Sequence, residues 1–107
     1  MRNEPTLKEL DGLPRLYSSE ATRLGDKVIY MHFFLGSSDW YAAEYSLEDD
    51  LFFGYVILND RHQDAEWGYF SLPELRSLRT RSGIEVDRDL HWMPTRAGAI
   101  ERIARRY

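Results

Sequence analysis

Apolar residues fall in short runs separated by polar or glycine-containing breaks, and the period within each run predicts an element. Residues 27–35 (Lys-Val-Ile-Tyr-Met-His-Phe-Phe-Leu) are β-branched and aromatic with both alternating faces apolar, the pattern of a central strand covered on both sides. A Gly-Ser-Ser-Asp turn follows at 36–39. Residues 40–46 and 51–59 are two further strands joined through Leu-Glu-Asp-Asp at 47–50, a spacing that suits an antiparallel hairpin. Residues 59–66 form a polar loop, and Trp-Gly-Tyr-Phe at 67–70 is a fourth short strand.

That strand runs into Ser71-Leu-Pro-Glu74, where the serine can cap the Glu74 amide and the glutamate can reach back. Phe70 and Leu75 stand at the two positions of a hydrophobic staple, and Pro73 falls in the first turn, where its missing N–H is not needed. The predicted helix buries Leu72, Leu75 and Leu78 and stops at Gly83. Residues 84–92 alternate strictly, with Ile84, Val86, Arg88, Leu90 and Trp92 opposite Glu85, Asp87, Asp89 and His91, as in a strand wet on one side. A last helix runs from Pro94-Thr95 to Tyr107 with Ala97, Ile100, Ile103, Ala104 and Tyr107 on one face. A capping box at Thr6 and Glu9 opens a short first helix that Gly12 and Pro14 stop. The sum is an α+β domain: a mainly antiparallel sheet of about five strands, a short helix before the last strand and a C-terminal helix.

A chain of 107 residues, 43% hydrophobic and 30% charged, has the size and composition of one globular domain spanning 1–107. The longest apolar stretch free of charge, residues 28–38, is far short of the roughly 20 residues a spanning helix needs. Two glutamates among the first ten residues interrupt any signal-peptide pattern, so the expected location is the cytoplasm. The absence of cysteine excludes thiol catalysis, cysteine zinc sites and redox switching. Phosphate-loop, dinucleotide, zinc-protease and nucleophile-elbow motifs are all missing, so the reading leans away from an enzyme and no cofactor is expected.

Charge is unevenly divided. Residues 36–66 hold eight acids against Arg61 alone, whereas residues 76–107 hold eight arginines against four acids. The bases are twelve arginines to two lysines, and guanidinium suits carboxylate pairs, phosphate and aromatic stacking. The plain reading is that the two segments neutralise each other across the fold. The alternatives are phosphate contact through Arg76, Arg79, Arg102, Arg105 and Arg106 with Tyr and Trp stacking on bases, or an acidic DNA mimic built on residues 36–66.

Three further groups carry candidate chemistry. Glu85, Asp87, Asp89 and His91 stand about 6 to 7 Å apart along one strand face, able to hold a hard cation or to act as acid and base. His62, Asp64 and Glu66 offer ligands at alternate loop positions, and His32 lies inside an apolar strand, as a core imidazole would. Glu44 alternates with Trp40 and Ala42 on an apolar face and needs a partner there; Arg88, the charge on the apolar face of the last strand, is the expected one, in a buried ion pair.

Trp40-Tyr-Ala-Ala-Glu-Tyr, Asp50-Leu-Phe-Phe-Gly-Tyr-Val, Trp67-Gly-Tyr-Phe-Ser-Leu-Pro-Glu-Leu and Glu85-Val-Asp-Arg-Asp-Leu-His-Trp, in that order, resemble domain of unknown function family 2958, and Leu13-Pro-Arg-Leu-Tyr is similar to its opening. The resemblance covers about residues 10–95, leaving the arginine-rich 96–107 outside. It implies a compact bacterial single domain, many of whose relatives are cargo of plasmids or integrated elements, and it transfers no catalytic residue. The residues it singles out are Tyr41, Glu44, Tyr45, Phe53, Gly54, Gly68, Tyr69, Phe70, Glu74, Leu75, Arg88, Asp89 and Leu90; Trp67 departs from an aliphatic position. The expected function is a non-enzymatic interaction module that binds a protein partner, in keeping with Tyr, Trp and Arg enrichment. Nucleic-acid binding and a metal-dependent enzyme are the readings from other classes.

Overall fold

The computed structural model describes residues 1–105; the sequence assignments made for Arg106 and Tyr107 lie outside the described residues. Strand β3 (Ser38–Ser46) is the middle of a five-stranded antiparallel sheet in the order β5-β4-β3-β2-β6, formed with β2 (Met31–Leu35), β4 (Leu51–Ile57), β5 (Glu66–Ser71) and β6 (Asp87–Arg88). A separate two-stranded ribbon joins β1 (Val28–Ile29) to β7 (Thr95–Arg96). The predicted strand over 27–35 is thus divided at Tyr30, whose N–H donates to the Ala42 carbonyl at 2.8 Å while the residues on either side pair with different partners.

Both faces of the sheet are covered. On the first face Met31, Phe33, Trp40, Ala42, Tyr45, Phe52 and Phe70 pack against Leu10 of α1 (Leu7–Asp11), Leu72 and Leu75 of α2 (Leu72–Ser77), and Val86. On the second, Tyr41, Ala43, Tyr55 and Ile57 pack against Ile29, Ala97 and Ile103, the last from α3 (Glu101–Ala104). Each fully buried Phe, Leu or Ile contributes about 1.5–3 kcal/mol, so both layers are needed to hold a chain this short.

The register of β3 shifts between Ala42 and Glu44: Ala42 faces Gly54 and Glu44 faces Phe53, which leaves Ala43 as an extra residue. One inserted residue transfers every later side chain to the other face. Tyr45 therefore joins Trp40 and Ala42 in the first core, and Glu44 turns to the second face. Arg88 pairs in register with Phe33 on the first face. The expected Glu44–Arg88 ion pair is not formed, because the bulge puts its two members on opposite sides of the sheet. Glu44 lies 3.7 Å from Lys27 instead. Arg88 binds the Glu9 carboxylate through both terminal nitrogens at 3.0 and 3.2 Å and the Asn3 carbonyl through Nε at 2.8 Å, fixing α1 over the first core.

The helical signals are met at their beginnings more than at their ends. The Thr6 and Glu9 box is complete in both directions. At α2 the Ser71 hydroxyl accepts the Glu74 N–H at 3.1 Å, but the reciprocal half is not made. The helix ends at Ser77 with Leu78 already extended, not at Gly83. Gly83, at φ +85°, serves a turn in which its N–H donates to the Thr80 carbonyl and Arg79 bridges Glu85.

The alternating strand over 84–92 shrinks to Asp87–Arg88, with Ile84 and Leu90 about 60% exposed. It stops because the Asp89 carboxylate accepts the His91 N–H and the Asp89 carbonyl the Trp92 N–H, turning the chain and sending Trp92 to donate to the Ile29 carbonyl. The long last helix is replaced by β7, one 3-10 turn at Ala97–Ala99 and α3. Its predicted apolar face survives in Ala97 and Ile103, which are fully buried, and in half-buried Ile100.

Two outcomes follow. A Cβ on Gly54 would stand 1.8 Å from the Tyr41 carbonyl oxygen, whereas one on Gly68 would meet nothing within 4 Å. In urea denaturation Gly54→Ala is expected to cost about 3 kcal/mol or more and Gly68→Ala to change stability by less than about 0.5 kcal/mol; equal effects would remove the bulge-and-glycine account. The second concerns Glu9, which the Arg88 guanidinium and then the Thr6 N–H hold down at about 2 from an ordinary 4.5. A depressed carboxyl adds stability above the unfolded value and loses it as pH falls through the folded one. Because the Glu9 side chain is nearly half exposed, Glu9→Gln should cost about 0.5–1 kcal/mol at neutral pH. The difference from wild type should close between about pH 5 and pH 1, and a difference undiminished at about pH 1 would contradict the pairing.

Candidate functional site

The four residues proposed as a cation or acid-base ladder are dispersed. Glu85 pairs with the Met1 amino group and stands 4.0 Å from Arg79, and the hydrogen bond from that amino group, then its charge, lowers the carboxyl below the usual range. Asp87 accepts from Asn3 at 2.8 Å, Asp89 caps its own turn, and His91 is exposed. Among the described residues no three His, Asp or Glu side chains come together in a way that could hold a metal ion, and that includes His62, Asp64 and Glu66.

The arginines are largely committed to acids of this chain. Arg102 bonds Asp39 through Nε at 3.0 Å and reaches both Asp39 and Asp60 with Nη2, at 2.9 and 3.0 Å. Arg76 grips Glu4 with Nε and Nη2 at 2.7 and 3.0 Å, and Arg96 bonds Asp26. Arg79 donates to the Arg76 and Leu78 carbonyls, and Arg105 lies 3.2 Å from the His62 ring. Arg106 lies outside the described residues.

The Arg102 cluster continues inward. Asp39 Oδ1 is 2.7 Å from His32 Nε2, and the imidazole stacks on Tyr41 at 4.5 Å. Burial, then the Asp39 charge, pushes the Tyr41 phenol up to about 12, while hydrogen bonds from His62 and then Arg102 hold Asp60 below the usual carboxylate range. His32 resembles a catalytic imidazole in having a carboxylate partner, but its other nitrogen, Nδ1, is buried and has no hydrogen-bond partner among the described residues. Through Asp39 the arrangement ties α3 to β2 and β3.

Glu44 is the centre of a second buried cluster that sequence reasoning found only in part. Its carboxylate accepts the Tyr17 N–H at 2.8 Å, the Ser19 N–H at 3.3 Å and the Ser19 hydroxyl, with the Lys27 ammonium donating to Ser19 Oγ at 2.8 Å. The two backbone donors and the Ser19 hydroxyl are therefore taken by the protein's own carboxylate, and the Lys27 ammonium by Ser19. A cleft of about 370 Å³ lies above, edged by Tyr17 and Tyr69, whose phenols bond to each other and so raise Tyr69 above its usual range. The cluster pins the 17–19 loop, with Tyr17 at φ +69°, onto the sheet.

A larger groove, of about 510 Å³, opens on the first face where α2 leaves the sheet uncovered. Trp40, Val56, Phe70 and Leu78 give it an apolar floor, and Gly68 leaves a gap in that floor where any other residue would put a side chain. Arg61, Asp64, Glu66 and Glu74 stand around the rim. All four are exposed, and none has an ion-pair partner among the described residues. Sequence reasoning missed this groove because four separate segments build it; the one signal was a glycine inside an otherwise aromatic strand, which marks a place of close approach.

No curated protein and no solved structure matches the chain. The family match reaches residue 105, so Arg102 and Arg105 lie within it and not beyond it as the motif comparison placed them. Over residues 16–105, carrying the bulged β3, the Gly54 and Gly68 strip and the Glu44 cluster, the chain belongs to the family described as Protein of unknown function (DUF2958).

Proposed function

We propose that the domain is a non-enzymatic interaction module that seats a protein partner in the groove between α2 and the loop after β4. The carrying observation is the groove itself: an apolar floor with a polar rim, of a size within the roughly 300–1,000 Å³ of binding pockets. The internal commitment of His32, Glu44 and most arginines supports a scaffold whose buried polar groups hold the fold together. The likeness to family 2958 supports a bacterial setting in which the partner belongs to plasmid or integrated-element maintenance or transfer, with the domain working in the cytoplasm. Among the described residues no helix is long and apolar enough to cross a membrane.

The test is affinity capture from the native host in nuclease-treated and untreated arms, using wild type and Gly68→Val. A Cβ at Gly68 meets nothing within 4 Å, so the valine fills the groove while the melting temperature stays within about 4 °C. A protein recovered in both arms by wild type, and about tenfold less by the variant, is the expected result. Equal recovery by the two proteins would remove the groove from the reading. Recovery of nucleic acid alone, lost at moderate salt, would favour instead an accessory role in nucleic-acid binding through Arg76, Arg79, Arg102, Arg105 and Arg106.

A further inference from the structure

The rim of the groove carries three carboxylates, Asp64, Glu66 and Glu74, against the single guanidinium of Arg61. Their local origins differ. Asp64 closes the 3-10 turn His62–Asp64, Glu66 begins β5 directly opposite Val56, and Glu74 stands in the first turn of α2. Three consecutive elements thus bring like charge to one concave apolar surface. Elsewhere in the fold acids that meet arginines pair with them, as Glu4, Glu9, Asp26, Asp39 and Asp60 do. Glu74 is notable because its N–H is capped by Ser71 while its carboxylate is not used to close the box.

An apolar floor focuses the field of rim charges, because its low dielectric screens them less than open water does. An occupant whose own charges are negative is repelled by the rim, and a purely apolar one leaves the three carboxylates to be desolvated without compensation. A cationic segment with an apolar anchor satisfies both parts: the anchor covers Val56, Leu58 and Leu78 beside the gap at Gly68, and flanking Lys or Arg side chains reach the carboxylates.

We infer that the groove binds a short basic segment of its partner, one in which Lys or Arg flanks an aliphatic or aromatic anchor. The inference rests on the groove reading above and adds the chemistry of the occupant.

The probe is a fluorescently labelled library of short peptides alternating Lys or Arg with Leu, Ile or Phe, together with a twin library carrying Glu in place of the bases, read by fluorescence anisotropy. Members of the cationic set should bind wild type with an affinity that falls as salt rises, and the acidic twin should not bind. The Glu66→Lys/Glu74→Lys double variant should bind about tenfold more weakly. Gly68→Val should abolish binding while Glu66→Lys/Glu74→Lys stays folded by circular dichroism.

Absence of binding by the cationic library, or binding indifferent to these substitutions, would overturn the inference. A partner captured in a Gly68-dependent way that contacts the groove through a neutral or acidic segment would overturn it and leave the groove reading intact. If no Gly68-dependent partner is captured, the groove reading itself fails. Wild-type protein that self-associates in sedimentation when Gly68→Val does not would place a second copy of this chain in the groove, and would overturn the inference as well.

Discussion

The extra residue at Ala43 in β3 is the constraint on which the arrangement of both faces depends. β3 is the middle strand, and it is buried from Ser38 to Tyr45 because each side of the sheet has its own cover. In such a strand a polar residue can be placed only where a partner already waits, since an unpaired buried carboxylate is among the costliest groups a fold can contain. The bulge turns Glu44 away from the aromatic core under α1 and α2 and toward Lys27, Ser19 and the backbone of the 17–19 loop. The same step in register brings β4 so close that its position 54 must be glycine, because the Tyr41 carbonyl occupies the space a Cβ would take.

The ion pairs work with this topology. Acid and base segments that are far apart along the chain are adjacent in the fold, and the pairs they form are staples between covers and sheet. Arg88 to Glu9 fixes α1 on the first face, Arg102 to Asp39 fixes α3 on the second, and Arg76 to Glu4 ties α2 to the amino-terminal segment. Each exposed pair is worth well under 1 kcal/mol alone, yet Arg102 binds two carboxylates, one from β3 and one from the loop after β4, and bidentate guanidinium geometry fixes direction as well as distance. A surface rich in arginine is thereby compatible with a chain whose net charge is -4.

What was legible in the sequence was what depends on neighbours within a few residues. The hairpin of β3 and β4, the Thr6 box, the Ser71 cap and the burial of Leu72 and Leu75 all follow from local spacing, and all are present. What was not legible depends on register or on distant partners. Alternation alone placed Glu44 with Trp40, and no local signal separates a regular strand from one with an inserted residue when Ala42 and Ala43 are equally small. Residues 84–92 alternate as well as any strand, but the Asp89 side chain offers the backbone a turn that competes with the ladder, and the turn wins after Arg88. The final segment has a helical apolar face, yet β1 needs an edge partner, and pairing with Thr95–Arg96 takes the residues that would have formed the first turn.

The groove belongs to this second kind, and the two glycines of the sheet show how it arises. Gly54 and Gly68 are cross-strand partners on the same face, yet one is filled against by neighbouring backbone and the other by nothing. The bulge explains the first. The second lies at the border of the first core, where α2 ends after Ser77 and the chain departs in extended form from Leu78. A longer helix, running to Gly83 as its sequence allows, would have continued over β5. Its early end leaves Val56 and Leu78 half-buried beside the buried Trp40 and Phe70, and the missing side chain at Gly68 deepens the groove there. In a fold that otherwise uses both faces of its sheet to bury a limited stock of apolar residues, the half-buried Val56 and Leu78 at this border are the apolar surface that the early end of α2 leaves within reach of solvent.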